Sequence, residues 1–516
     1  MRLVPILWGL VAVVVSAQAI DIIQRLMSPD LAAVAFSEGG DDAYYFFTVA
    51  RNIAQGHGIT IDGTHWTTGF QPLWGLICAV PFLAPSDRAA FAIIYVLSIL
   101  LWLAGAALFV RLVRRASAIS LQPLAIALIV ALFLGEAQLT RGYFNGMETG
   151  LYLTLTLGLL VAFEDYLGLP PEQVSLGRVA GLGVLAGLTM LARNDAFLLC
   201  GMLLAVTLFV GRRQHPLRDV AIVVAIASAM VLPWLVYCQW ASGNPMPQSG
   251  IATSVAVRGY VPLESILRKI LASVDPLGFF KVRAVIDEHL AIAVVATLAA
   301  IVAWIAYWRR SGAAFVTPVS RRVLTAFAAA DAGLLLYYPL ASSAGQFFER
   351  YFAPLKLLVF VLLAILIARL LAAAGRSVVA AALALVLAAG TVATNVYWIA
   401  RDYSLPWRSH MGPEAYKIVR SRYATDNSRI GMFESGRLGF LYPTRVVNLD
   451  GKMNVEALRA VRSGTLEPYM QSANLDYVML HDEDVDYFDK TIPAWRKSWR
   501  KIPDMVGEFE VFEKVP

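Results

Sequence analysis

Apolar segments of membrane-spanning length recur along most of this chain, and that recurrence excludes most folds. They lie at about 4–23, 89–110, 121–138, 149–165, 179–192, 196–211, 219–238, 290–308, 323–341, 352–371 and 378–399. Each approaches the roughly 20 residues a helix needs to cross the hydrocarbon core. The expectation is a polytopic α-helical membrane protein of about 11 spans, give or take two. Composition agrees: 58% of residues are hydrophobic and 16% charged, where soluble domains carry roughly 25% charged residues. The net charge of +6 does not mark a nucleic-acid binder, because the basic residues mostly cluster between apolar segments, where they set orientation. Cys78, Cys200 and Cys238 lie in apolar segments, are odd in number and lack ligand spacing, so they read as small core residues.

The first segment follows Arg2 and reads as a retained signal anchor with a cytoplasmic N-terminus, although Val15-Ser16-Ala17-Gln18-Ala19 faintly resembles a processing site. Arg111, Arg114 and Arg115, then Arg178, then Arg212, Arg213 and Arg218, then Arg309, Arg310, Arg321 and Arg322, and finally Arg376 fall on one side, which is then the cytoplasm. That parity requires 68–84 to be a re-entrant or interfacial hairpin. It leaves Arg258, Arg268, Lys269, Lys281 and Arg283 of the 240–289 loop on the outside, against the rule.

With this parity five polar clusters reach the far face. They are the 38–72 stretch opening Glu38-Gly39-Gly40-Asp41-Asp42, the 141–149 stretch ending in Met147-Glu148-Thr149, Arg193-Asn194-Asp195, the 243–249 loop containing Gln248, and 346–351 with Glu349-Arg350-Tyr351. Ionisable groups at the edge of apolar helices are costly and usually line a water-filled cavity or pair with each other. Each cluster alone reads equally as an interfacial loop whose arginine snorkels to headgroups; five on one side point to one cavity. Asp41 and Asp42 carry two readings: a helix cap before Ala43, or a general base at the membrane surface. Tyr44, Tyr45, Trp66 and Trp74 belong to an interfacial aromatic belt or line a sugar site, the belt being preferred. Asp331, inside its span, reads as a packing or hydration site.

From about residue 400 the composition becomes that of a soluble domain. The expectation is a membrane module over 1–400, with a far-side loop 24–88, and an extracytoplasmic domain over 401–516. Helices near 413–423 and 455–463 alternate with strands near 429–433, 445–449, 477–480 and 508–512, with a turn at Ser435-Gly436. This is the pattern of a small α/β unit.

Asp41-Asp42-Ala43-Tyr44, Ala50-Arg51-Asn52 with Gly56-His57-Gly58, and Thr68-Gly69-Phe70-Gln71-Pro72-Leu73-Trp74 resemble the first-loop pattern of the GT-C class of membrane glycosyltransferases. The likeness is to bacterial mannosyl- and arabinofuranosyltransferases. Asn145-Gly146-Met147-Glu148-Thr149, Leu191-Ala192-Arg193-Asn194-Asp195, Glu349-Arg350-Tyr351-Phe352-Ala353-Pro354 and Val447-Asn448-Leu449-Asp450-Gly451 are similar to later blocks of such proteins. The resemblance spans nearly the whole chain. It implies transfer of a sugar from a polyprenyl-phosphate donor, undecaprenyl or decaprenyl, to a hydroxyl of an envelope glycan, lipid or protein. The setting it implies is the outer side of a bacterial cytoplasmic membrane.

Such a reaction needs a base for the acceptor hydroxyl, alignment at the anomeric carbon and a cation for the departing phosphate. One displacement inverts the anomeric centre. Asp41 or Asp42 is the expected base. Arg193 and Arg350, at far-side helix ends, are the expected phosphate ligands, because guanidinium binds phosphate through a planar fork; the bland alternative is pairing of Arg193 with Asp195 and of Arg350 with Glu349. His57, His65, Glu148, Asp195, Gln248, Glu349 and Tyr351 complete the expected substrate site. No cofactor is required, while a divalent ion at Asp41, Glu148 and His57 remains open. The rival class is a transporter or flippase, which calls for broken helices at the midplane and internal repeats; no repeat is present.

Overall fold

The computed structural model describes residues 3–29, 31, 35–36, 40–209, 214–274, 295, 306, 316–342, 348–375, 377–404, 417–423, 428–492 and 494–515. In its first half run α1 (Leu3–Met27), α2 (Asp42–Ala54), α3 (Pro72–Ala79), α4 (Asp87–Ala116), α5 (Pro123–Gly135), α6 (Ala137–Phe144) and α7 (Thr149–Gly168). Then follow α8 (Leu176–Ala192), α9 (Phe197–Phe209), α10 (Pro216–Ser242), α11 (Leu263–Val274), α12 (Pro318–Ala341), α13 (Ala353–Ala374) and α14 (Val378–Ser404). Among the described residues seven helices, α1, α4, α7, α10, α12, α13 and α14, are long and apolar enough to cross a membrane. The pair α5 and α6 forms an eighth candidate bent by 58°, and α8 and α9 are shorter apolar helices. Every apolar segment marked in the sequence therefore has its helix, except 290–308, which falls almost wholly outside the described residues. The 68–84 stretch is α3 followed by a single turn, Pro81–Leu83, too short to cross.

The two ends of the bundle differ in charge. At the C-terminal end of α7, Asp165 pairs with Arg111 and Arg115 of α4, and Tyr166 donates to Asp219 at the start of α10, itself paired with Arg218. At the other end of α7, about 25 Å away by helical rise, stands Glu148. The basic loops thus gather at one end and the polar clusters at the other.

The C-terminal domain is a five-stranded sheet built from β1 (Ile430–Met432), β2 (Val446–Asn448), β3 (Tyr477–Leu480), β4 (Trp499–Val506) and β5 (Phe509–Lys514), in the order β2-β1-β3-β5-β4. β1 is parallel to β2 and β3, whereas β5 runs antiparallel to β3 and β4. Its helices α15 (Gly436–Leu441), α16 (Val455–Ser463), α17 (Leu466–Ser472) and α18 (Asp482–Thr491) connect the strands. Trp495, Phe488 and Phe512 fill the core on one face, Ile430, Met432 and Val511 the other. Three details depart from the sequence reading. Ser435-Gly436 opens a helix instead of a turn; edge strand β4, interrupted by Pro503, has too irregular a burial pattern to be seen as a strand; and the helix expected at 413–423 is helical over 417–423 but ends in a π-helical turn at Val419–Tyr423, while 413–416 lie outside the described residues.

Helix α2 joins the two modules. It is the amphipathic run that begins at the paired aspartates, and nine of its 13 residues are buried. Tyr44, Phe47, Phe82, Phe91 and Phe440 form one aromatic cluster across the junction, with T-shaped and tilted ring contacts. Arg51 donates to the carbonyl of Phe440 and stacks on its ring, and Arg437 lies over Tyr44. Ser435 N–H donates to Tyr45 Oη at 3.1 Å. Asp41 has helical backbone angles and no capping bond to its own helix, since a capping side chain needs an extended backbone. Its carboxylate instead accepts from Gly436 N–H and, at 2.7 Å, from Arg437 N–H, two orphan donors at the start of α15.

This close approach needs glycine at 436, where an added Cβ would lie 2.1 Å from the Asp41 carbonyl oxygen. Gly436→Ala is therefore expected to loosen the junction by about 1–3 kcal/mol while far-UV circular dichroism keeps its helical signal. A melting profile equal to wild type would refute the contact.

Candidate active site

All five polar clusters meet in one cavity of about 580 Å³ at the junction of the membrane module and the C-terminal domain. Asp42, Tyr45 and Gly69 come from the first loop, Met147 and Glu148 from the start of α7, Arg193 and Asp195 from the α8–α9 junction, Asn244 to Pro247 and Ser249 from beyond α10, and Arg350 and Tyr351 from the turn before α13. The C-terminal domain adds Lys452 and Met453. The charged lining is balanced, with Asp42, Glu148 and Asp195 against Arg193, Arg350 and Lys452. Below this polar crest the wall turns apolar through Met190, Phe197, Val231, Leu235 and Leu334. Phe197 and Met246 are 52% and 49% exposed, so this part of the cavity wall is not closed off by the rest of the chain.

The paired aspartates divide their tasks. Successive residues of a helix point about 100° apart, so with Asp41 turned toward the C-terminal domain, Asp42 faces the cavity. There Asp42 Oδ2 lies 3.1 Å from Arg350 Nη2, the two side chains remaining 17% and 21% accessible.

Arg193 is the hub of the opposite wall. Its backbone is extended where α8 ends, and its guanidinium forks onto Asp195 at 3.2 and 2.7 Å and reaches Glu148 at 3.1 Å. Tyr338 accepts from Arg193 at 3.1 Å and donates to Asp195, and its ring stacks on Tyr351 with centroids 4.6 Å apart. Two carboxylates on one guanidinium leave the group with net negative charge. The Arg193 fork thus makes the pairing with Asp195 that was the alternative to phosphate binding, with Glu148 as a second partner.

Further buried groups, in and around the cavity, hold these elements in place. Glu136 caps α6 by accepting from Leu139 N–H at 2.6 Å and pairs with Lys356 of α13 at 2.7 Å; the bent α5–α6 pair then delivers the 145–148 turn. Trp74 Nε1 donates to Gly146 O at 2.9 Å, and Asn145 Oδ1 accepts from Met147 N–H. Lys452 Nζ lies 3.2 Å from Asp450, and its pKa is raised because that carboxylate and Asp42 outweigh burial. Glu136, Lys356 and Lys452 were missed in the sequence. The first two showed only as charges inside apolar runs, and the third as an ordinary lysine of a soluble domain.

Other expected site residues lie elsewhere. Gln248 is buried behind the cavity as a clip: its carbonyl accepts from Thr68 N–H at 3.0 Å, its N–H donates to Thr68 Oγ1, and its amide donates to Gly451 O at 3.3 Å. His57 sits in an exposed turn between two glycines of positive φ. His65 Nδ1 lies 2.6 Å from Asp62 and its Nε2 3.6 Å from Glu456, pairing that raises its pKa through the Asp62 hydrogen bond. The Glu349 side chain, Glu38-Gly39 and Gln346-Phe347 lie outside the described residues. Asp41, Glu148 and His57 are not gathered around one point, and among the described residues no three His, Cys, Asp or Glu side chains are grouped to hold a metal ion. Of the aromatics assigned to a belt, Trp66 is 44% exposed, whereas Tyr44 and Trp74 are buried and Tyr45 lines the cavity.

Comparison with known proteins places the fold. A family model described as a domain of unknown function, DUF8728, matches residues 406–514. No curated protein matches the chain. The crystal structure of ArnT from Cupriavidus metallidurans bound to undecaprenyl phosphate superposes with a TM-score of 0.56 at 14% identity, covering 98% of this chain and 97% of that one. The apo form of the same protein gives 0.55 at 13% identity, covering 98% of each. The chain therefore has a GT-C-type fold along nearly its whole length.

Burial under the C-terminal domain, and next the charge of Glu434, push the Asp41 carboxyl from 3.8 up to about 6, against the pull of its two N–H donors. A carboxyl raised on folding contributes stability that is full below its unfolded pKa and lost as pH rises through the folded value. The thermal midpoint of wild type should accordingly fall between about pH 4 and 7, and Asp41→Asn should flatten that slope; an identical pH profile in the variant would discard this role.

Proposed function

We propose that this chain is an inverting glycosyltransferase that moves a sugar from a polyprenyl phosphate to a hydroxyl of an envelope glycan, lipid or protein outside the cytoplasmic membrane. One observation carries the reading: a single cavity joins a charged crest to an apolar wall whose Phe197 and Met246 remain exposed. A lipid chain with a phosphate head fits that division, because its tail can stay among Phe197, Leu235 and Leu334 while its head reaches Arg350. The shared fold with a protein crystallised with undecaprenyl phosphate supports the same donor class. The gathering of basic residues at the far end of the bundle supports a cavity on the extracytoplasmic side.

The chemistry then assigns roles. Asp42 accepts the proton of the acceptor hydroxyl as its oxygen bonds to the anomeric carbon. The bond from that carbon to the phosphate oxygen breaks on the opposite side, and the departing phosphate keeps the electron pair and is neutralised by Arg350. Arg193 acts as a positioning residue, holding Glu148 and Asp195 where they can bind sugar hydroxyls. Tyr351 offers a ring face above the same wall, and Lys452 closes the site from the C-terminal domain.

Asp42→Asn is expected to lower transfer by about 10²- to 10⁴-fold in a reconstituted assay with the fold intact, and Arg350→Ala to raise the KM for the lipid donor more than that for the acceptor. Full activity of Asp42→Asn would remove the base. For orientation, Ser472, exposed on the C-terminal domain, is the labelling site, since the three native cysteines are buried. A membrane-impermeant maleimide should modify Ser472→Cys in intact spheroplasts, and labelling only in inverted vesicles would reverse the topology.

A further inference from the structure

The ion pair between Asp42 and Arg350 puts the proposed base on the proposed phosphate ligand. Both roles cannot be filled at once: a carboxylate held at 3.1 Å by a guanidinium has a lone pair committed to that contact, and a guanidinium edge facing a carboxylate is occupied for phosphate. Among the described residues, the other acids lining the cavity, Glu148 and Asp195, are bound to Arg193 at 3.1 and 2.7 Å. Both partners keep side-chain exposure toward the cavity, so an incoming anion can reach the pair without unfolding the junction.

Resting on the donor and residue roles proposed above, we infer that Asp42 occupies the phosphate's place on Arg350 in the empty enzyme, and that donor binding unmasks the base. The phosphate of the lipid-linked sugar displaces the carboxylate, exchanging one anion for another on the same cation. The released Asp42 remains in the cavity beside Lys452, free to accept a hydroxyl proton. Binding is thereby ordered, donor before acceptor, and the base is inactive toward water or acceptor until a donor is present.

The cycle closes through the same contact. Transfer leaves the acceptor's proton on Asp42 and the freed lipid phosphate on Arg350. Neutral Asp42 does not compete for the guanidinium, so the product stays until Asp42 gives its proton to solvent. The carboxylate then competes for Arg350 again, which speeds release of the lipid phosphate.

The test is equilibrium binding of undecaprenyl phosphate to the purified full-length chain in detergent micelles, compared among wild type, Asp42→Asn, Asp42→Ser, Arg350→Ala and the double variant Asp42→Asn with Arg350→Ala. Removing the competing carboxylate should tighten binding by about tenfold in both Asp42 variants, the scale of one charge-assisted hydrogen bond. That gain should vanish in the Arg350→Ala background. Equal or weaker binding by both Asp42 variants, with wild type binding the lipid, would overturn the displacement while leaving the donor assignment in place. A gain that persists without Arg350 would overturn it as well. Failure of wild type to bind undecaprenyl phosphate at all would instead bring down the donor reading on which this one rests.

Discussion

The architecture turns on the carboxylate of Asp41 and the two backbone N–H groups it accepts from Gly436 and Arg437. An N–H pair at the start of a helix is unsatisfied within that helix, and burying it without a partner would cost about as much as several ordinary hydrogen bonds contribute net. The first loop supplies the partner from nearly four hundred residues away. Because Gly436 lacks a side chain, the backbone of Asp41 can approach closely enough for both bonds. Tyr44, Tyr45 and Arg51 then have a surface to pack on, and α2 is pinned between the two modules in a single rotation. That rotation sends Asp42 into the cavity.

Electrostatics inside the cavity follow from this placement. Three acids and three bases in a partly desolvated space would be costly if scattered, since charges out of water must be paired. They are grouped instead into Arg193 with Asp195 and Glu148, Arg350 with Asp42, and Lys452 with Asp450 behind it. The Arg193 group is multiply bonded, stacked between Tyr152 and Tyr351 and hardly accessible. The Asp42–Arg350 pair, joined at 3.1 Å, keeps both members partly open to the cavity. A ligand anion meets far less resistance at the second, which separates a structural guanidinium from one available for substrate.

Much of this was legible in the sequence, and the reason is energetic. Charges at the ends of apolar helices are expensive enough that Asp42, Glu148, Arg193, Asp195 and Arg350 stood out against their surroundings, and loop charge gave them a common side. What stayed hidden was rotation and partnership. Nothing in Asp41-Asp42 says which carboxylate meets a distant helix, because neighbours on a helix diverge by about 100° and the deciding surface is near residue 436. The capping reading was correct in kind but wrong about the helix: Asp41 caps α15, not α2. Gln248 and His65 looked like substrate ligands because polar residues in loops do; they bind the chain itself. Lys452 carried no signal, as a lysine in a soluble domain is ordinary until its turn is seen against Gly69.

That last contact makes the C-terminal domain part of the cavity. An added Cβ at Gly69 would lie 1.9 Å from the Lys452 carbonyl oxygen, and Gln248 ties the same turn to Thr68 through Gly451, so the 450–453 turn is set directly on the first loop. A domain that merely shielded the membrane module would need no such glycine, and its charged groups would face solvent. Here the turn after β2 presents its one ammonium inward, beside Asp42. The helix that carries the proposed base is therefore the helix on which the domain docks, and any displacement of the domain must move the wall and the base together.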